Sequence, residues 1–294
     1  MKKIVTVIVV MLLGGMIWLL FLKPADYIVN IETKTVPGVV NQIIKIWSKT
    51  IEFSEIEQQD YQNLNQSIKF NDSTFLIKWN ISSVNDSLSR VKMGFSVKNA
   101  GPLDRLINLF SETDFEKRAK HTALGFNKNL KYHVDDFRVK VIGESKFDST
   151  YYAYVPIETT QIGKARGMMR NYSFVSNFLA ENQVELNGLP IVQITEWDRD
   201  QDRIKFNFCY PVKYSDSFPE HEEISFKLLK GQKALKAIYN GNYISSDRAW
   251  YYLMDYAERN QISIDPKPVE FFYNNPNMGG DALKWTAEVY MPIK

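Results

Sequence analysis

Two glutamates and a phenol stand out against apolar surroundings in the last third of this 294-residue chain. Glu270 lies in "KPVEFFYNNPN" (267–277), a single carboxylate inside a run of valine, phenylalanine and tyrosine. Glu288 lies in "WTAEVYMPI" (285–293) and Tyr243 in "NGNYISS" (240–246). Carboxylates beside aromatic rings suit a bound organic cation: the rings add quadrupole attraction and apolar burial, and the carboxylate neutralises charge in a partly dry site. On a strand, Glu270, Phe272 and Asn274 share one face, as do Thr286, Glu288 and Tyr290 on the next. With Gly279-Gly280 at a hairpin tip, Glu270 comes opposite Glu288, about 5 Å apart at Cβ, which raises one carboxyl pKa unless a cation joins the pair. Phe272, Tyr290 and Trp285 complete the candidate ligand-binding set around Glu270, Glu288 and Tyr243. The bland alternative places both carboxylates on a solvent face, paired with lysines such as Lys284.

Other chemistries lack their residues. The histidines (His121, His133, His221) are scattered and Cys209 is the one cysteine, so no metal site and no internal disulfide is expected. Cys209, between Phe208 and Tyr210, reads as a small buried hydrophobe. There is no nucleophile elbow, Walker loop, dinucleotide fingerprint or His-Glu-x-x-His, so no cofactor is expected. Lys+Arg 36 against Asp+Glu 34 gives a net charge of +2, which implies no strong field for nucleic acid. No segment reads as a helix-turn-helix, and no nucleic-acid partner is expected.

The elements that must hold these residues form a repeat. Residues 162–192 lie over 240–270 without a gap, 78 positions apart. Gly163 meets Gly241, Tyr172 meets Trp250, Asn182-Gln183 meets Asn260-Gln261, and Pro190 meets Pro268. The halves resume register at "YPV" (210–212) and "MPI" (291–293) with three extra residues in the second hairpin. Each half reads strand, helix, strand, strand, and a duplicated unit normally buries its face against its twin. The overlay supplies an internal comparison. Glu270 lies over Val192, Glu288 over Asn207 and Tyr243 over Ala165, so the second half has gained two carboxylates and a phenol. The helix-spaced aromatics Tyr172, Phe174, Phe178, Trp250 and Tyr252 are expected in the core. Trp197, Phe206, Phe208, Tyr210 and Trp285 suit either core or site.

The second-half pattern resembles the gyrase-inhibitor-like (GyrI-like) effector-binding domain, also found behind AraC-type and multidrug-sensing regulators. The matching features are Gly241 and Tyr243 before the helix, the helix over 247–260, then Pro268, Glu270, Asn275-Pro276 and the terminal Pro292-Ile293. The family's Glu-x-Tyr strand reads Glu270 and Phe272 here. The resemblance spans 138–294. It implies two strand–helix–strand–strand units around one concave site, with Glu270 facing the ligand. Some members open strained electrophilic rings. By that resemblance the alternative reading is a hydrolase with Glu270 as base and Tyr243 as donor. A further alternative is an envelope interaction module without ligand.

Upstream, "DYIVNIETKTV" (26–36) alternates as a strand, and Val39, Val40, Ile43, Ile44 and Trp47 follow Pro37 at helical spacing. Three strand-like runs (64–70, 74–84, 88–98) are separated by Asn71-Asp72 and Asn85-Asp86, and a long helix is expected from Leu103 to Leu130. Strand, helix, meander and long C-terminal helix resemble the START-like (SRPBCC, polyketide-cyclase-like) helix-grip fold. This copy is shortened, with the polar stretch 48–61 in place of further strands, and reads as a structural spacer.

Ile4–Leu22 is 19 residues without charge, preceded by Lys2-Lys3 and followed by Lys23. A helix of this length covers roughly 28 Å. The expectation is an uncleaved single-pass anchor, N-terminus cytoplasmic and body on the outer (periplasmic or extracellular) side. A cleaved signal peptide is the competing reading. The expected fold class is therefore α+β: a transmembrane anchor (1–25), a shortened helix-grip domain (26–137) and a duplicated effector-binding domain (138–294). The expected function is membrane-anchored binding of a cationic or amphipathic small organic molecule, without catalysis. The expected partners are that ligand and the lipid bilayer, through residues 4–22.

Overall fold

The computed structural model describes residues 2–17, 25–70, 73–98 and 114–294. The first helix, α1 (Lys2–Ile17), has 16 residues. At ~1.5 Å per residue this described stretch rises about 24 Å, short of a hydrocarbon core of roughly 30 Å. No helix among the described residues is long and apolar enough to cross a membrane. The expected anchor, its single-pass topology and the bilayer as a partner of residues 4–22 are corrected accordingly. Residues 18–22 of that run lie outside the described residues. In place of an α+β fold with a spanning helix, the chain builds two large antiparallel sheets with few helices.

The chain divides into two compact units, the first ending at Lys131 and the second starting at Tyr132. In the first, β1 (Tyr27–Thr33), α2 (Pro37–Ser48), β2 (Ser54–Gln58), β3 (Asn63–Phe70), β4 (Ser73–Asn85) and β5 (Leu88–Val97) precede α3 (Asp114–Asp135). The sheet order is β1-β5-β4-β3-β2, so the first strand closes against the last. This arrangement fits the helix-grip expectation. The polar stretch 48–61 is not a strandless gap: Ser54–Gln58 pairs with β3 as an edge strand, Ile56 opposite Gln66. An edge strand buries little, so its apolar signal is weak. The expected helix start at Leu103 and the turn at Asn71-Asp72 lie outside the described residues. Inside the unit, Trp79 packs edge-on against Trp47 and Phe126 with ring centroids 6.0 and 4.7 Å away. Trp79 Nε1 donates to Gln66 Oε1 at 3.0 Å, and Gln66 Nε2 donates to Ser54 Oγ at 2.8 Å. Large rings and a satisfied polar chain fill the space between sheet and helices.

The second unit is an eight-stranded sheet. Its strands are β6 (Phe137–Phe147), β7 (Thr150–Thr159), β8 (Ile191–Asp198), β9 (Arg203–Val212), β10 (Ser225–Leu229), β11 (Gln232–Gly241), β12 (Val269–Phe272) and β13 (Thr286–Pro292). Two helices, α4 (Lys164–Glu181) and α5 (Arg248–Arg259), follow β7 and β11. The order β10-β7-β9-β8-β12-β13-β11-β6 is symmetric about the β8–β12 pair. Each half's leading strand is exchanged: β6 precedes β7 but pairs with β11, while β10 precedes β11 but pairs with β7. At the centre Glu270 pairs directly opposite Val192. These two residues are 78 apart, so the pseudo-twofold axis passes between them.

The helix ends obey that offset closely. The capping residues Asn182 (φ −93°, ψ 9°) and Asn260 (φ −95°, ψ 5°) match. Gln183 and Gln261 follow in the left-handed region at φ 55° and 56°. The helix starts do not obey it. The 3-10 turns Gln161–Gly163 and Tyr243–Ser245 are 82 positions apart, and α4 has 18 residues against 12 in α5. Four additional residues, about one turn, therefore lie between the 3-10 turn and the helix end in the first half. The remaining difference in helix length arises because α4 starts directly after its turn, at Lys164, while α5 starts at Arg248. Gly241, the last residue of β11 at φ 152°, corresponds to Thr159 at the end of β7 and not to Gly163. Tyr243 corresponds to Gln161 and not to Ala165. Ser246 corresponds to Lys164, each being the residue that closes its 3-10 turn.

Candidate functional site

The residues singled out from the sequence fall on two faces of the sheet. Strand β12 pairs with β13 so that Phe271 is opposite Glu288 and Glu270 is opposite Val289. This register is one residue away from the expected pairing of Glu270 with Glu288. Because side chains alternate, the shift sends the two carboxylates to opposite faces.

The Glu270 face is covered by α4 and α5, and Glu270 is 0 % exposed. Lys164 Nζ donates to both of its carboxylate oxygens, at 2.9 and 2.8 Å, and to Ser246 Oγ at 2.7 Å. Trp250 Nε1 donates to Glu270 Oε1 at 2.7 Å, and the ammonium sits 5.0 Å from the Trp250 ring centroid. Burial raises the Glu270 carboxyl above its usual range, against the pull of the ion pair and hydrogen bonds from Lys164 and Ser246. A second buried group adjoins this one. Gln161 Nε2 donates to Asp247 Oδ2 at 2.5 Å, and Gln161 Oε1 accepts from Tyr251 at 2.8 Å and Trp197 at 3.2 Å.

Three other expected residues belong with this face. Tyr243 packs at a tilt against Phe272, centroids 4.6 Å apart, and against Trp285 at 5.8 Å. Its hydroxyl donates to the Thr286 carbonyl at 2.6 Å, and burial raises its pKa. That phenol fastens the strand connection.

Glu288 and Tyr290 line a cleft of about 550 Å³ on the other face, with Phe147, Leu189, Phe271 and Tyr273. Phe147, Phe271 and Tyr290 form a three-ring wall with centroids 6.0, 5.5 and 5.6 Å apart. Glu288 sits at its edge. It accepts from Lys236 Nζ at 2.6 Å, Tyr290 at 2.7 Å and Tyr273 at 3.0 Å. Burial works to raise its pKa, but the hydrogen bonds from Lys236, Tyr290 and Tyr273 outweigh burial and hold the carboxyl below its usual range. In turn Tyr273, through burial first and the Glu288 hydrogen bond second, is pushed up to about 12. Among the described residues no group of three or more His, Cys, Asp or Glu is placed to hold a metal ion.

Lys164, Ser246, Phe147, Phe271, Tyr273 and Lys236 were not singled out from the sequence. Phe271 and Tyr273 lay inside the quoted run, and the alternation that pairs Glu270 with Phe272 assigns both to the other face. Lys164 carried no signal, because the ungapped overlay sets it against Asn242. Trp250, expected only as core, is core and also a donor to Glu270. Phe174, expected in the core, is 37 % exposed.

Fold and site together define a class: a duplicated antiparallel sheet whose halves meet at a central strand pair, with two helices on one face and an aromatic cleft on the other. Residues 153–294 match the GyrI-like family, described as the GyrI-like small molecule binding domain, and the second unit carries a domain of that family. Among solved structures the chain is similar to the EcmrR–DNA complex (TM-score 0.45, 15% identity, 60% of this chain and 63% of that one). It thus spans less than two thirds of that relative. The EcmrR C-terminal domain gives a TM-score of 0.41 at 16% identity, covering 54% of this chain and 98% of that one. SAV2435 bound to tetraphenylphosphonium gives 0.38 at 13%, covering 54% and 93%. No functionally curated protein matches the sequence.

Proposed function

We propose that the second unit binds an amphipathic aromatic small molecule in the open-face cleft and performs no chemistry on it. The observation that carries this reading is the three-ring wall of Phe147, Phe271 and Tyr290 ending at one ionised carboxylate. A volume of about 550 Å³ lies within the range of small-molecule pockets, roughly 300–1,000 Å³. Glu288 accepts from three donors, and a carboxylate has about four acceptor positions, which leaves room for one donor from a ligand. The ligand class is therefore a flat apolar body with an ammonium, hydroxyl or amide N–H at one end. Of the residues expected from the sequence, this reading uses Glu288 and Tyr290. The domain division of the sequence reading belongs to the same proposal, with binding assigned to 138–294 and spacing to 26–137. The geometry gives the hydrolase alternative no support, since Glu270 has no exposed surface from which to activate water.

Titration of the full chain with tetraphenylphosphonium, with neutral phenols and with aromatic amines, followed by intrinsic fluorescence and thermal shift, tests this. The amines and phenols are expected to bind. Glu288→Gln should weaken the amine at least tenfold, because a charge-assisted hydrogen bond contributes about 1.5–3 kcal/mol. Phe271→Ala should weaken all of the probes that bind. Equal affinities in wild type and both variants would refute the assignment.

A further inference from the structure

We propose that the carboxylate on the pseudo-twofold axis is an ammonium-binding site whose occupant is Lys164 of the same chain, and that this resident cation bars external organic cations from Glu270. The site lies on the face opposite the cleft, so it stands or falls independently of the ligand reading above.

The coordination is complete. The Lys164 ammonium has three protons and finds three acceptors: Glu270 Oε1 at 2.9 Å, Glu270 Oε2 at 2.8 Å and Ser246 Oγ at 2.7 Å. The Trp250 ring faces it at 5.0 Å, the arrangement by which aromatic cages hold ammonium ligands. Carboxylate, hydroxyl and indole converge on one cation, and both charged side chains are 0 % exposed. The remaining charged group near Glu270 is Asp247, which accepts from Gln161.

The duplicated fold indicates that the scaffold itself does not require this pair. The counterpart of Glu270 is Val192, directly opposite across the axis, and the counterpart of Lys164 is Ser246. One half thus offers a valine and a serine where the other offers an ion pair, with the same strands around them. A buried ion pair is on average no more stabilising than a hydrophobic replacement, so stability alone does not account for it. Recognition of a cation does account for it. Carboxylate, Ser246 and Trp250 belong to the second half, and Lys164 enters from the first, at the start of the longer of the two helices.

Removing the occupant should leave a receptor. In Lys164→Ala the cavity keeps its carboxylate, hydroxyl and indole and lacks an alkylammonium group. n-Butylammonium reproduces the missing chain and charge, while n-butanol reproduces the chain alone. The expected result is a lowered Tm for the variant that rises by roughly 5–10 °C with saturating n-butylammonium. No comparable rise is expected with n-butanol, in wild type, or in Lys164→Ala/Glu270→Ala. Equal rescue by n-butanol would overturn the proposal. So would wild-type binding of n-butylammonium or tetraphenylphosphonium that is lost in Glu270→Gln, since an external cation would then displace Lys164.

If Lys164→Ala does not fold, Lys164→Met keeps the volume and drops the charge. Glu270 then faces only Ser246, Trp250 and Asp247. Its folded-state pKa, already raised by burial in the wild type, moves further above the unfolded value once the pull of Lys164 is gone, which steepens the slope of stability against pH. The folded state binds the extra proton, so stability falls as pH rises from 5 to 8, and adding Glu270→Gln abolishes that slope. A Lys164→Met profile parallel to wild type would also overturn the proposal.

Discussion

Replacing Lys164 by methionine isolates the electrostatics of the buried pair with little change of volume. The substitution removes three donated hydrogen bonds, two to Glu270 and one to Ser246. It leaves a carboxylate with no exposed surface and only the Trp250 and Ser246 donors. Breaking one side of a buried ion pair is destabilising by about 3–5 kcal/mol, because the surviving charge is uncompensated. For a unit of this size about 1 kcal/mol corresponds to roughly 2–4 °C, so Tm should fall by about 6–20 °C. The double variant Lys164→Met/Glu270→Leu removes the charge with its partner and should recover most of that loss, or exceed wild type by about 1–4 kcal/mol. Urea denaturation of wild type, both single variants and the double variant at constant pH yields the coupling energy directly. A coupling below about 1 kcal/mol would refute the reasoning, because that is the worth of an exposed pair and not of one sealed under two helices.

The other side of the sheet should respond to acid. The Glu288 carboxyl is held below its usual range, so its contribution is present above the unfolded value near 4.3 and is lost as pH falls through the lower folded value. Thermal melts from pH 6 to pH 3 should show a loss in wild type that is reduced in Glu288→Gln; parallel profiles would contradict the assigned hydrogen bonds. Gly241→Ala should be destabilising by roughly 1–3 kcal/mol, since φ is +152° and an added Cβ would lie 2.6 Å from the Tyr239 hydroxyl and 3.0 Å from Phe137 Cβ. Gly14→Ala, where an added Cβ meets nothing within 4 Å, is the control for that measurement and should be near neutral or stabilising.

The duplication was legible in the residues because each half solves the same packing problem with the same order of helix stripe, Asn-Gln cap and proline. The caps sit at matched backbone angles, and the bridges Leu186–Val212 and Ile264–Ile293 repeat across the axis. Glu270 was legible as an anomaly, since a carboxylate within an apolar strand must either reach water or find a partner. Its partner was not legible. An ungapped overlay spreads one offset over both helix ends, whereas the backbone absorbs a whole additional turn at one end without disturbing the other, and this sets Lys164 against Ser246 in place of Asn242. The pairing of Glu270 was lost for a similar reason. Sequence alternation places residues on faces only relative to their own strand, and the hydrogen-bonded register between strands chooses which faces coincide. One residue of register here separates two carboxylates that the sequence alone brings together. The exchange of β6 and β10 between halves and the edge strand Ser54–Gln58 belong to the same class of fact. They depend on pairing between segments distant in the chain, and local composition has no term for it.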